Sequence, residues 1–302
     1  MKPTVADYFK LHFIVFLFGF TAILGKLISL PSVEMVFYRT LLAAIGMAAL
    51  IFFLKGSFAV PSQKDFWKLM LTGLIVALHW LTFFGSGRLA NPSVSLVGFA
   101  TCSFWAALIE PVAKKKKIRP MEVGLGIAVL IGLYIIFSFD FKYPLGLLLG
   151  IASGLAGAIF SVINSKMVTR ISSHTITFYE MISACIGIVL FFPFYKKYFA
   201  EGELQLMPSA VDWIYLAMLG WVCSVYAYSQ MIDLTKKLSV FFIQLALNLE
   251  PVYGIAFAIL IFGRQEVMGW SFYIGTLIIL IAVALYPLLK RNFEHHFNSP
   301  LQ

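Results

Sequence analysis

A chain of 302 residues that is 61% hydrophobic and 12% charged, with mean hydropathy +0.90, carries more apolar surface than one soluble core can hide. Its net charge of +9 sits at the ends of apolar blocks, which excludes a soluble domain between them and reads as membrane topology rather than a nucleic-acid surface. Cys102, Cys185 and Cys223 all fall inside apolar blocks, so no disulfide framework is expected.

A bilayer core about 30 Å thick needs about 20 apolar residues at the helical rise. Ten stretches qualify, at 8–28, 33–54, 65–86, 93–113, 121–137, 145–168, 174–193, 212–232, 238–262 and 267–289. Barrel strands would alternate inward and outward residues over about ten positions. These blocks are continuously apolar, so they are predicted as helices. The first is too long for a signal peptide and lacks a small-x-small cleavage site, so it is expected to be retained.

Positive charge orients the spans. With the N-terminus inside, 16 of the 23 basic residues fall on the inner side, among them Lys10, Lys64, Lys68, Lys114 to Lys117, Lys166 and Arg170. The outer side holds five: Arg88, Lys142, Lys196, Lys197 and Arg264. Lys26 and Arg39 lie within or beside spans. The bias predicts a multi-pass protein of the cell inner membrane with both termini cytoplasmic. The charge that remains favours anionic lipid over nucleic acid.

The two halves repeat. VFYRTLLAAIG, from Val36 to Gly46, aligns with TFYEMISACIG, from Thr177 to Gly187, at an offset of 141. Asp65 and Gly73 align with Asp212 and Gly220 at 147, which also matches His79 to Tyr226, and Gly126 aligns with Gly275 at 149. The triplet Glu-Pro-Val at Glu110 and Glu250 has an offset of 140, which breaks the progression; equivalence and coincidence both stay open. Residues 1–140 and 141–302 are therefore expected to be two five-span repeats. Five is odd, so the second copy enters the bilayer from the opposite side, as in inverted-repeat transporters. Gly146, Gly150 and Gly154 recur at i+4, a stripe that suits close helix contact within a monomer or across a dimer.

The segment FGFTAILGKLISLPSVEMVFYRTLLA, from Phe18 to Ala43, resembles the opening of EamA-type members of the drug/metabolite transporter superfamily. In that pattern a glycine-containing first helix ends in a lysine, a short proline-containing loop follows, and an arginine sits early in the second helix. Lys26, Pro31 and Arg39 occupy those positions. The ten spans, the five-plus-five repeat and the connection Phe262-Gly263-Arg264-Gln265-Glu266 extend the likeness over nearly the whole chain. Arg264 follows the glycine where the family usually has glutamate, so that turn is assigned no role. The resemblance implies a basket in which spans one to four and six to nine surround a central cavity, with spans five and ten packed at one side. It also implies export or exchange of amino acids, metabolites or drugs.

Charges at membrane depth need a partner, water or a function. Arg39 lies about 9 Å below the outer face by helical rise. Its repeat mate Glu180 should lie similarly far from the inner face, too distant for a direct ion pair. Arg39 reads as an anion-binding or gating group, or as a structural partner of Glu34 or of loop carbonyls. Glu250 lies about 18 Å deep. Pro251 has no N–H for the Leu247 carbonyl, so a kink is expected there. Desolvation disfavours a charged carboxylate, which suits a site that carries a proton or an ammonium group. Gln244 and Asn248 share a face. A cavity face centred on Leu247 would hold Gln244 and Glu250, whereas one centred between Gln244 and Asn248 would turn Glu250 into a neighbouring helix.

His79 and Trp80 fall mid-span, with Tyr226 as the mate of His79. Trp221, Ser224 and Tyr228 share a face of the eighth span. The candidate substrate-binding set is Arg39, His79, Trp80, Tyr226, Tyr228, Gln244, Asn248 and Glu250. Lys26, Glu180, Glu250 and Asn164 are candidates for coupling or gating. Glu110 is explained by an i,i+4 pair with Lys114. His295-His296 lacks companion ligands, so no metal is expected, and no cofactor motif or catalytic constellation appears. The leading reading is a secondary transporter that exports or exchanges small metabolites such as amino acids by alternating access, with proton coupling as an option. Drug or nucleoside efflux in the same fold is the alternative. An intramembrane lipid-modifying enzyme would need polar groups that converge at one interface, and here they are scattered.

Overall fold

The structure, a computed structural model, describes residues 3–90, 92–137, 143–200, 203–250, 252–253, 257 and 270–297. These residues form ten helices and no strand: α1 (Val5–Leu27), α2 (Ser32–Phe53), α3 (Gln63–Leu89), α4 (Pro92–Ala113), α5 (Pro120–Phe137), α6 (Pro144–Met167), α7 (Ser173–Tyr198), α8 (Ala210–Leu234), α9 (Val240–Leu247) and α10 (Trp270–Phe297). Seven of them, α1 to α4 and α6 to α8, are long and apolar enough to cross a bilayer. Shorter apolar runs occupy Pro120–Ile135 in α5 and Tyr273–Tyr286 in α10. Pro251 and the turn around Arg264 lie outside the described residues, as do the side chains of His295 and His296.

Local chemistry explains where the helices start. The Ser62 and Ser209 hydroxyls accept the N–H groups of Asp65 and Asp212, each at 3.1 Å, and donate back to their carboxylates at 2.9 and 2.8 Å. Serine side chains likewise cap α7 through Ser172 and α9 through Ser239. The seventh helix runs past Pro193, where the sequence suggested an end, to Tyr198. A proline removes one i−4 bond, which a long packed helix tolerates more readily than a marginal one.

Neighbour relations obey an exchange of halves. α3 packs on α6 and α7, and its mate α8 packs on α1 and α2; α4 packs on α6, and its mate α9 packs on α1. The pairs α2–α7 and α5–α10 map onto themselves. Individual residues repeat the relation. A Cβ on Gly73 would lie 2.5 Å from the Glu180 carbonyl oxygen and 2.7 Å from the Ser183 Cβ. A Cβ on Gly220 would lie 2.8 Å from the Leu42 Cβ and 3.5 Å from the Arg39 carbonyl oxygen. Ser183 and Leu42, like Glu180 and Arg39, are 141 residues apart. Asp65 is ionically paired with Arg170, and Asp212 accepts the Ser29 N–H at 2.8 Å; Ser29 and Arg170 differ by the same 141.

These contacts also tie the ends of the bundle. At the end rich in basic residues, Lys237 donates to Asp7 at 2.8 Å, and Glu110 accepts from both Lys114 (2.7 Å) and the Phe241 N–H (2.9 Å). The expected Glu110–Lys114 pair is therefore present, and the carboxylate also caps α9. At the opposite end Arg88 donates to the carbonyls of Ile28 and Leu30 at 2.9 Å each, and Glu34 accepts the Gln205 N–H at 3.2 Å.

The glycine stripe of α6 is consumed within the chain. Gly98 on α4 packs directly on the Gly150 backbone, Gly146 packs on Ala90, and Gly154 lies under the Gly98 carbonyl. Gly98→Ala would place a Cβ 2.5 Å from the Gly150 carbonyl carbon, backbone that cannot yield. Overpacking of this kind costs roughly 1–3 kcal/mol, so the variant should melt earlier in detergent. Gly124→Ala meets nothing within 4 Å and should be neutral or stabilising by up to about 1 kcal/mol. Equal melting temperatures for the two variants would refute the packing account.

Candidate functional site

A cavity of about 50 Å³ lies where the two halves meet, large enough for a few water molecules. Its walls come from α1 (Phe18, Thr21), α2 (Arg39), α3 (His79, Trp80, Phe83), α4 (Phe99), α6 (Phe160), α8 (Tyr228, Met231) and α9 (Gln244, Leu247), with Glu250 just beyond. No lining side chain among the described residues belongs to α5 or α10. Those two helices pack on each other at the side: a Cβ on Gly132 would lie 2.9 Å from the Gly275 carbonyl oxygen, and Tyr286 donates to Glu122 at 3.1 Å.

Arg39 is buried to 3% exposure and is held from two sides. Its guanidinium carbon sits 4.0 Å from the centroid of the Trp80 ring, a cation–π contact. Its Nε donates to the Ser224 hydroxyl at 2.9 Å. Ser224 is available for this because α8 widens into a π-helical segment over Met218–Tyr228. Within that segment the Ser224 hydroxyl donates to the Leu219 carbonyl five residues back, at 2.9 Å, and so turns an acceptor lone pair toward Arg39. Glu34 is occupied with Gln205 and is not the partner of Arg39. Nor is Glu180, which accepts from the Tyr228 hydroxyl.

Glu250 faces the cavity through Thr21, whose hydroxyl lies 3.1 Å from Oε1. The same hydroxyl lies 2.7 Å from the Phe18 carbonyl oxygen. One hydroxyl proton cannot serve both acceptors at once. When it rests on Phe18, the contact with Glu250 is satisfied only if the carboxyl group donates. The helix breaks just before this point: Asn248 and Leu249 form a tight turn with i−3 bonds of 3.2 and 3.0 Å. The turn leaves Gln244, Leu247 and Glu250 along one wall and sends Asn248 the other way, where it donates to Ser103 at 3.1 Å. Of the two expected cavity faces, the one centred on Leu247 is present, and Asn248 does not line the cavity.

A polar chain stands behind the Tyr228 wall. Asn164 donates to the Tyr228 hydroxyl at 3.3 Å, and that hydroxyl donates to Glu180 at 2.9 Å. Gln244 donates to Ser161 at 2.9 Å. Three buried oxygens in this group lack donors among the described residues: Asn164 Oδ1, Glu180 Oε1 and Gln244 Oε1. A buried acceptor left unpaired costs about 1–3 kcal/mol, and of the three residues only Gln244 borders the cavity. His79 is anchored at Nδ1 by the hydroxyl (2.8 Å) and carbonyl (3.1 Å) of Ser153, and its ring packs among Phe83, Phe99 and Phe160.

Of the sequence candidates, Arg39, His79, Trp80, Tyr228, Gln244 and Glu250 meet around one space, with Glu180 and Asn164 one layer behind. Tyr226 does not join them. It is 43% exposed and packs edge-on against Phe13, because residues two apart on a helix point to nearly opposite sides and Tyr228 takes the inner one. Trp221 is 52% exposed for a related reason: wide π turns advance less per residue than α turns and shift the face. Lys26 is exposed near the end of α1 and is not a lining side chain. Thr21, Phe18, Phe99 and Met231 line the cavity without having been singled out. Thr21 had a readable signal, as a hydroxyl inside an apolar span; the others had none. No group of three His, Cys, Asp or Glu among the described residues could hold a metal.

Known proteins share this architecture. The sequence model of the EamA-like transporter family matches residues 9–138 and 144–286. An uncharacterized transporter of Archaeoglobus fulgidus is 26% identical over 211 residues, which is 66% of this chain and 68% of that protein. The uncharacterized transporter YxxF of Bacillus subtilis is 22% identical over 248 residues, 79% of this chain and 76% of its own length. A solved structure described only as the crystal structure of a protein superposes with a TM-score of 0.74 at 16% identity. It covers 94% of this chain and 97% of the other, and at that identity the likeness concerns the fold alone.

Proposed function

The chain belongs to the EamA-like transporter family and is a multi-pass membrane transporter, not an enzyme, and we propose that its cargo is a small zwitterionic metabolite of the amino-acid class. The observation that carries this reading is the pairing of opposite needs in one cavity. The Arg39 guanidinium offers donors beyond the Nε engaged by Ser224, which suits a carboxylate. Glu250 and the donorless Gln244 Oε1 suit an ammonium group. The rings of Trp80, Phe83, Phe99, Phe160 and Tyr228 suit an apolar side chain. Transport then proceeds by alternating access, with residues 1–140 and 141–302 exchanging conformations as inverted repeats. The end ties break on one side at a time. The direction is outward export or exchange across the cell inner membrane, with both termini cytoplasmic and the chain acting as a monomer.

The abundance of rings supports a second reading, efflux of a drug or a nucleoside. Counterflow in proteoliposomes with a panel of radiolabelled amino acids and nucleosides separates the two. The zwitterion reading expects accumulation of at least one amino acid, competed by its unlabelled form and not by the matching amine or nucleoside. Counterflow of nucleosides alone, or equal competition by the decarboxylated amine, would replace it.

A further inference from the structure

A groove of about 470 Å³ opens between α3 and the C-terminal end of α6, remote from the central cavity. Three cations line it: Lys68 from α3, Lys166 from α6, and Arg170 from the turn that follows. Leu71, Ile163 and Met167 form its apolar wall, and Leu71 is 58% exposed. Lys68 and Leu71 are three residues apart, so cation and apolar wall share one helix face. Lys68 lies about 8 Å from the start of α3 by helical rise, and Lys166 is one residue from the end of α6. Both cations thus stand at the depth of a headgroup layer, and the wall continues toward the hydrocarbon.

The local charges do not cancel. Arg170 is paired with Asp65, yet 49% of its side chain stays exposed, and that carboxylate also serves the Ser62 cap. Lys166 donates to the Ala113 carbonyl at the end of α4, which anchors it without neutralising it. Among the described residues no carboxylate pairs with Lys68. The Lys114–Lys117 run follows Ala113 directly and adds to the positive field. Topological lysines alone would be scattered over exposed loops. Here three cations from two segments converge on one concavity with an apolar floor, the form that recognises an anionic headgroup.

We propose that this groove binds the phosphate of an anionic phospholipid, with Lys68, Lys166 and Arg170 around the phosphate and the start of an acyl chain along Leu71 and Ile163. A free phosphate ion shares the headgroup chemistry but has no use for the apolar wall.

Native mass spectrometry of the full-length protein in detergent tests this with three probes: phosphatidylglycerol, phosphatidylcholine and inorganic phosphate. Phosphatidylglycerol should be retained with an apparent affinity on the order of tenfold above phosphatidylcholine, and the preference should shrink as salt is raised. The double variant Lys68→Gln/Lys166→Gln should lose that preference. The pair Lys196→Gln/Lys197→Gln, at the far end of α7, should keep it. A second measurement needs no variant: the wild-type protein should melt later in phosphatidylglycerol nanodiscs than in phosphatidylcholine ones. Equal retention and equal melting in the two lipids would overturn the proposal, as would an unchanged preference in the Lys68/Lys166 variant. Displacement of the lipid by millimolar phosphate would make the groove a site for a free anion instead.

Discussion

Arg39→Ala is expected to lower counterflow of a zwitterionic substrate at least about 30-fold, equivalent to about 2 kcal/mol, the lower bound for truncating one member of a buried charge pair. The loss should fall on substrates that carry a carboxylate. The matching amine, which never engaged the guanidinium, should bind the variant about as well as the wild type. Arg39→Lys keeps the charge but removes both the Nε donor to Ser224 and the planar fork, and the 4.0 Å contact of the guanidinium carbon with the Trp80 ring is lost with them. It should fall between wild type and alanine. Truncation also leaves a void against Trp80, so melting in detergent must be recorded alongside. If Arg39→Ala melts early while Arg39→Lys is stable yet transports normally, the arginine is a structural clamp and the anion-binding role is removed. Normal transport by the alanine variant removes it as well.

Glu250→Gln is expected to insert and fold normally, because the amide keeps the shape and can still donate to or accept from Thr21. What it cannot do is release a proton. In the wild type, the single Thr21 proton shared between Phe18 and Glu250 provides a place where a protonated carboxyl group is satisfied and an ionised one is satisfied only in part. If Glu250 couples transport to protons, the glutamine variant should lose accumulation driven by an imposed pH gradient while passive exchange persists at a weaker affinity for the substrate, because a neutral amide replaces the carboxylate that faces its ammonium group. If Glu250 only ties α1 to the ninth span, the variant should keep its response to the gradient and melt earlier. Retained proton-driven accumulation would take Glu250 out of the mechanism. Both readouts come from one preparation, so loss of protein cannot pass for loss of coupling.

The residues that could be read ahead of the structure differ in kind from those that could not. Arg39, Glu180 and Glu250 were legible because an ionisable group deep in a span is costly, and its depth follows from counting at the helical rise. Asp65 and Asp212 were legible as repeat mates because each precedes a glycine, Gly73 or Gly220, at the same spacing and the shared offset of 147. Phe99 and Met231 were not: in a chain with 30 phenylalanines and 11 methionines, nothing in residue type separates a lining side chain from a packing one. Tyr226 and Asn248 show a different failure. Each has the right polarity and the right depth, and each points the wrong way.

Composition and span length were enough to read ten helices, the placement of lysine and arginine gave their sidedness as an expectation, and the alignment of Val36–Gly46 with Thr177–Gly187 gave the duplicated plan. The bilayer makes those quantities decisive: a helix that must satisfy its own backbone in hydrocarbon has little freedom in length or type. Rotation about the helix axis carries no such constraint. The π segment of α8 shifted the phase over 11 residues, brought Ser224 and Tyr228 inward and left Trp221 and Tyr226 outside. The tight turn at Asn248–Leu249 likewise chose Glu250 over Asn248 for the cavity wall. Both choices come from contacts with other helices, between groups as far apart in sequence as Thr21 and Glu250, so only the tertiary structure could make them.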